Sequence, residues 1–246
     1  MPWLALFSLC IAIFSANSKA QEHSIEQLLN IEIAAYQVSS AFSAYVLFTG
    51  LPQYSQKLEN IVETTRPLLT DAQSTYPDIV DKFQQSLSFI EDKKALVFSP
   101  DDHRLIIGFA TYQNPLYQQL EEVKQSTSQQ KNTDVLPPAL AEFLITRISF
   151  ERALAQYIAL SASSAGFVVS DISIEENVNT FSSRLEKITR QDANVKRLKM
   201  KWKFIKTNML KNPGETSPFI TMRTAKDIRK ILQQIYQGAV VANGGL

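Results

Sequence analysis

The strongest constraint on this chain is the spacing of its apolar side chains, which from Ile25 onward recur three and four positions apart in segment after segment. That period lines up one face of an α-helix, whereas a half-buried strand needs alternation. Leu51, Tyr54, Leu58 and Ile61 share a face in this way, as do Val80, Phe83, Leu87 and Ile90. Only seven glycines occur in 246 residues. So few argues against a sheet fold with many tight turns and against the glycine-rich loops that cradle phosphates. With 45% hydrophobic residues and 25 basic against 24 acidic side chains, the chain is globular rather than disordered. An all-α fold is expected.

Helix punctuation divides the chain. The first long helix is expected from His23 to Thr49, with Gly50 as its stop, and a second follows at once. Pro77 suits the first turn of a third helix, and Ser99-Pro100-Asp101-Asp102 reads as the capped start of a fourth that reaches Lys124 with a bend at Pro115. Residues 125–135 are mostly polar and lack a period, as a linker would. Pro137-Pro138 opens a fifth helix running to Phe167, and three more are expected over about 174–189, 193–210 and 218–236, before a flexible tail at 239–246.

The two halves resemble each other. Leu51, Tyr54, Leu58 and Ile61 match Val178, Phe181, Leu185 and Ile188 at an offset of 127. Val80, Phe83, Leu87, Phe89 and Ile90 match Val195, Leu198, Trp202, Phe204 and Ile205 at 115, and Ser99-Pro100 matches Ser217-Pro218 at 118. The expected organisation is therefore a duplicated module over 21–124 and 136–238. Each module supplies four amphipathic helices, packed as two antiparallel four-helix bundles or as one elongated eight-helix array.

Residues Trp3 to Phe14 form an apolar run of 12, too short for the roughly 20 residues that span a bilayer. The run is followed by Ser18-Lys19-Ala20, a small-x-small pattern that suits cleavage before Gln21. The reading is a signal peptide over 1–20 and export to a bacterial periplasm, with an uncleaved anchor and a buried first helix as the alternatives. Cys10, the only cysteine, lies inside that run, so the mature chain holds no disulfide.

Catalytic signatures are lacking: there is no Gly-x-Ser-x-Gly elbow, no His-Glu-x-x-His and no cysteine nucleophile outside the leader. Asp101, Asp102 and His103 read as acids at a helix start rather than as metal ligands. Glu121-Glu122 and Glu175-Glu176 are adjacent pairs that point about 100° apart on a helix and so do not converge. No metal, cofactor or catalytic residue is assigned.

Charge is segregated instead. Residues 190–230 carry 12 basic and 3 acidic side chains, a net of +9, while 21–189 carry 12 and 21, a net of −9. Lys196, Lys199, Lys203 and Lys206 form a stripe beside the seam of Val195, Leu198, Trp202, Ile205 and Met209, and Arg223 is expected to join them. Lys199, Lys203, Lys206 and Arg223 are the candidate binding residues for a small anionic ligand, an envelope protein partner or an anionic membrane surface. The competing reading has the lysine stems covering the edge of the seam. Nucleic acid is not an expected partner, because no recognised module or aromatic platform accompanies the lysines.

Lys201-Trp202-Lys203-Phe204-Ile205 and, in weaker form, Leu87-Ser88-Phe89-Ile90 resemble the Trp-x-Phe segment of the N-terminal sensory module of type IV pilus methyl-accepting chemotaxis transducers. The resemblance implies a helical sensory module, present once in each half. It transfers no ligand residues, because the Arg- and Gln-rich signature of that module's first helix is absent from Ile33–Leu47 and Ala153–Val169. The leading expectation is a non-enzymatic exported helical protein that binds a ligand or a partner in a sensory or envelope role. A peripheral membrane or scaffold protein docking through its basic third is the second, and an enzyme with an unrecognised bundle site the third.

Overall fold

The computed structural model describes the backbone of residues 3–97, 103–129, 136–163, 173–188, 192–211 and 217–242, and side chains within 24–97, 104–127, 136–163, 173–188, 192–211 and 217–238. Eight α-helices are found in these segments: α1 (Trp3–Leu47), α2 (Pro52–Ala72), α3 (Pro77–Lys93), α4 (His103–Gln129), α5 (Pro138–Ala162), α6 (Ile174–Lys187), α7 (Ala193–Leu210) and α8 (Pro218–Ala242). A short 3₁₀ turn, Lys94–Leu96, follows α3. The fold is all-α.

Local chemistry explains the boundaries. Thr49 and Gly50 both adopt positive φ, and Gly50 N–H donates to the Tyr45 carbonyl at 2.9 Å, closing α1 where the glycine was expected to stop it. Pro52, Pro77 and Pro138 occupy first-turn positions. Ser173 Oγ accepts from Glu176 N–H at 3.1 Å and Asp192 Oδ1 from Val195 N–H at 2.9 Å, capping α6 and α7. Glu175 and Glu176 thus sit in the first turn of α6, where the helix dipole favours acids.

Several boundaries differ from expectation. α1 begins at Trp3, twenty residues before His23, because neither glycine nor proline interrupts residues 3–47. α4 continues into the expected linker as far as Gln129, α5 stops at Ala162, and α8 continues to Ala242. Leu51 precedes α2 in an extended conformation and is 47% exposed, so it leaves the face on which Tyr54 and Leu58 are buried. Asp101, Asp102, the His103 side chain and residues 130–135 lie outside the described residues.

The helices pack as two closed squares joined along one side. α1 touches α2 and α4, and α3 touches α2 and α4; in the second half α5 touches α6 and α8, and α7 touches α6 and α8. α1 and α5 then form the most extensive interface in the molecule. One apolar core runs through both squares, from Phe42, Phe83 and Phe109 to Phe150, Phe181 and Trp202. A smaller cluster of Leu29, Ile33, Tyr36, Leu144 and Ile148 seals the α1–α5 joint.

Correspondence between the halves is clearest in α3 and α7. Val80, Phe83, Leu87 and Ile90 are buried, and so are Val195, Leu198, Trp202 and Ile205 at the offset of 115. Phe89 and Phe204 part company at the same offset. The Phe89 ring lies against Gly108, where a Cβ would approach to 3.0 Å, and meets Phe109 and Tyr112 at tilted angles, whereas Phe204 is 58% exposed. The 127 offset between α2 and α6 holds less well, since Leu51 is exposed where Val178 is buried and Ile188 lies beyond the end of α6.

Trp202 meets Phe181 edge-on at 4.6 Å and donates from Nε1 to Ser182 Oγ at 3.0 Å. Trp202→Ala is expected to lower unfolding free energy by about 3–5 kcal/mol, read from urea denaturation. Phe204→Ala, on the same helix but exposed, is expected to change it by no more than about 0.5 kcal/mol. Equal losses would contradict this arrangement of the α7 seam.

Candidate functional site

Two polar assemblies stand out: the charged outer faces of α7 and α8, and an ion-pair layer buried where α1 meets α5.

On α7 the lysine stripe and Arg223 are brought to different edges. Lys199, Lys203 and Lys206 lie on the edge toward α6, where Lys199 Nζ donates to the Ile188 carbonyl at 3.3 Å, near the negative end of the α6 dipole. Arg223 instead lies near Asp227, together with Arg197, and Asp227 accepts from Lys201 Nζ at 2.5 Å. The reason is rotation: Lys201 and Arg197 occupy the flank of α7 that faces α8, opposite the stripe across the buried seam. Lys199 and Lys206 are half-buried, consistent with stems that cover the seam, and Lys203 is exposed.

The outermost face of α7 combines charge with apolar surface. Lys196, Arg197, Met200, Lys203, Phe204, Thr207 and Lys211 all face solvent there, with Met200 67% and Phe204 58% exposed. Leu210 at the end of α7 and Phe219 and Ile220 at the start of α8 are also exposed. Five of the eight exposed large hydrophobic residues of the described chain therefore lie on one hairpin, which is also the basic one. α7 has no acidic residue. An apolar patch ringed by cations is suited to a partner that is greasy and negatively charged.

The buried layer was not anticipated from the sequence. Glu32 of α1 is 1% exposed and Glu151 of α5 is 0% exposed, and both are ion-paired. Glu32 accepts from Lys124 Nζ at 2.8 Å and from Arg152 Nη2 at 3.1 Å. The same two cations reach Glu121 of α4 at 2.8 and 2.9 Å, so two carboxylates face two cations. Glu151 accepts from Arg229 Nε at 2.7 Å and Nη2 at 2.5 Å, a bidentate pair, and from Gln37 Nε2 at 2.9 Å. Burial alone would raise the Glu151 carboxyl, but Arg229, Gln37 and the charge of Arg147 bring it below the usual carboxylate range. Glu121 is likewise lowered, its burial outweighed by Lys124 and Arg152. Carboxylates committed in this way are poor proton donors near neutral pH.

A sequence signal for this layer exists. Glu32 and Gln37 recur as Glu151 and Gln156, each pair 119 positions apart, and each glutamate precedes one of the long uncharged stretches. A lone acid inside an apolar helical run is the mark of a buried charge with a distant partner. Gln156 also engages its own half, accepting from Asn177 Nδ2 at 2.6 Å.

Further cations lie around Glu151. Arg147 and Lys57 are half-buried beside the Glu151–Arg229 pair, with Lys226 at the rim. Burial, Arg229 and Lys226 lower the Lys57 ammonium from its ordinary value to about 8, against the smaller pull of Glu151. Arg147 is lowered by burial and by Arg229. The chain matches no protein-family model, no curated protein and no solved structure.

The lowered Lys57 makes stability depend on alkaline pH. The fold disfavours its protonated form, so the unfolded chain holds more protons between about pH 8 and its ordinary value of 10.5. The penalty is present in full below pH 8 and is relieved as pH rises through that window. Urea midpoints are therefore expected to include a rising contribution above pH 8 that Lys57→Met removes, with the variant more stable than the parent near pH 7. Identical pH profiles for the two proteins would contradict the assignment.

Proposed function

We propose that this chain is a non-enzymatic binding protein, exported to the bacterial periplasm, that docks on an anionic phospholipid surface through the α7–α8 hairpin. The observation that carries the reading is the solvent face of α7, where Met200 and Phe204 are set among Lys196, Arg197 and Lys203 without an intervening acid. Apolar side chains at that position gain by entering the headgroup boundary, and each nearby cation contributes about 1 kcal/mol against an anionic leaflet. Among the described residues no helix is long and apolar enough to cross a membrane, so contact through this face is peripheral. Export rests on the apolar run Trp3–Phe14 and the Ser18-Lys19-Ala20 pattern. A sensory role, as the Trp-x-Phe resemblance implies, is compatible with docking: a bundle held at the membrane is well placed to report on it.

Cosedimentation with vesicles tests the docking. Binding is expected to vesicles containing phosphatidylglycerol and not to pure phosphatidylcholine, and to weaken with added salt. Lys196→Glu with Lys203→Glu is expected to reduce partitioning by at least about tenfold, since two contributions of about 1 kcal/mol are lost and two repulsions added. Met200→Ser with Phe204→Ser is expected to weaken binding even at low salt. Equal binding to neutral vesicles, or none to anionic ones, would overturn the reading and turn attention to an acidic protein partner.

A further inference from the structure

At the repeat offset of 115, the outer faces of α3 and α7 carry opposite charge. Asp78, Asp81, Gln85, Ser88 and Asp92 follow one another at spacings of three and four, and all are exposed on α3. Their counterparts on α7 are Ala193, Lys196, Met200, Lys203 and Thr207, which are exposed as well. None of Asp78, Asp81, Asp92, Lys196 and Lys203 forms an ion pair among the described residues. The acidic face also borders a hollow. Between α3 and α4 runs a groove of about 570 Å³ whose lining includes Asp81, Asp92 and Lys93 of α3 and the rings of Phe89 and Tyr112. Those two rings stand 5.2 Å apart and inclined at 39°, and Tyr112 is 39% exposed.

We propose that this groove receives the outer face of α7 from a second copy of the chain, with Met200 and Phe204 against Phe89 and Tyr112, and Lys196 and Lys203 beside Asp81 and Asp92. Met200 and Phe204, 67% and 58% exposed, leave water in that contact, and aromatic rings are favourable neighbours for both a thioether and a phenyl group. Lys196 and Lys203 bracket Met200 much as Asp81 and Asp92 bracket Gln85 and Phe89. The two charged spans are about 10 Å and about 16 Å along their helices, a difference that the flexible lysine stems cover. Opposed charge sets the partner, since two α7 faces or two α3 faces repel one another. The surfaces lie in different halves of the chain, so the contact is head-to-tail. One α7 face cannot meet the groove and a phospholipid leaflet together. Self-association therefore covers the apolar face away from the membrane, and an anionic leaflet competes for it; this consequence rests on the docking reading of α7, whereas the contact between copies does not.

Sedimentation velocity of the full chain tests the contact. At low salt the weight-average mass is expected to rise with protein concentration above that of the monomer, and to fall back toward it as salt is added. Lys196→Glu with Lys203→Glu, and separately Asp81→Lys with Asp92→Lys, are each expected to hold the chain at monomer mass. An equimolar mixture of the two variants is expected to associate again, to twice the monomer mass or more, because each altered surface then meets its charge complement; two misfolded chains cannot give that recovery. Monomer mass for the parent at every concentration, association that survives either pair of substitutions, or a mixture that stays monomeric would overturn the proposal. Vesicle binding separates this result from the docking reading. Asp81→Lys with Asp92→Lys leaves the α7 face intact and is expected to bind phosphatidylglycerol vesicles at least as well as the parent. A parent that associates but ignores vesicles supports the contact and removes only the docking reading, while a parent that binds vesicles and stays monomeric does the reverse.

Discussion

A carboxylate taken out of water between two helices has to be met by cations and donors, or the helices cannot close over it. Glu32 and Glu151 impose that requirement at the α1–α5 interface, the largest in the molecule. Their partners come from elsewhere in the fold: Lys124 from α4, Arg152 from α5, Arg229 from α8 and Gln37 from α1. One slip of either central helix along or around its axis would strand a buried charge. Apolar contacts alone tolerate such slips more readily, because greasy side chains repack at modest cost. The ion pairs thus act mainly on the register of the two bundles, and the apolar core supplies the bulk of the stability.

A buried glutamate with cations around it occurs in each opening helix, Glu32 in α1 and Glu151 in α5. The squares α1–α4 and α5–α8 share a neighbour pattern, and the Glu-x-x-x-x-Gln spacing recurs in both opening helices. Phe204 is left uncovered where Phe89 is sheltered beside Gly108. The Glu32–Glu121 cluster is balanced only with Arg152 of α5, so the two halves share it, while α7 presents an open apolar and basic face.

Much of the fold was legible in the sequence because helix propensity, proline position and the three-four period are local quantities. Pro52, Pro77 and Pro138 open helices, Gly50 ends one, and the seam Val195, Leu198, Trp202, Ile205 and Met209 is buried as its spacing predicts. Helix ends were less legible where no residue forbids continuation, as at Gln129 and Ala242. The candidate site was only partly legible. The lysine stripe could be placed on α7, but Arg223 was assigned to it although helix rotation puts that residue with Asp227 on the other edge. The buried layer escaped because the cations that meet Glu32 and Glu151 lie 78 to 120 positions away, and only the docked helices bring them together. The repeated Glu and Gln at 119 were visible, yet the sequence does not say which cations they meet.

Each buried carboxylate of a central helix and the cation that meets it depend on one another, as Glu151 of α5 and Arg229 of α8 do. The most direct measurement is a double-mutant cycle on unfolding free energy with Glu151→Met, Arg229→Met and the pair together. Each single replacement is expected to cost about 3–5 kcal/mol by stranding a buried charge, while the double variant loses clearly less than the sum and falls close to the parent. Additive losses, or single replacements within about 0.5 kcal/mol of the parent, would contradict this dependence.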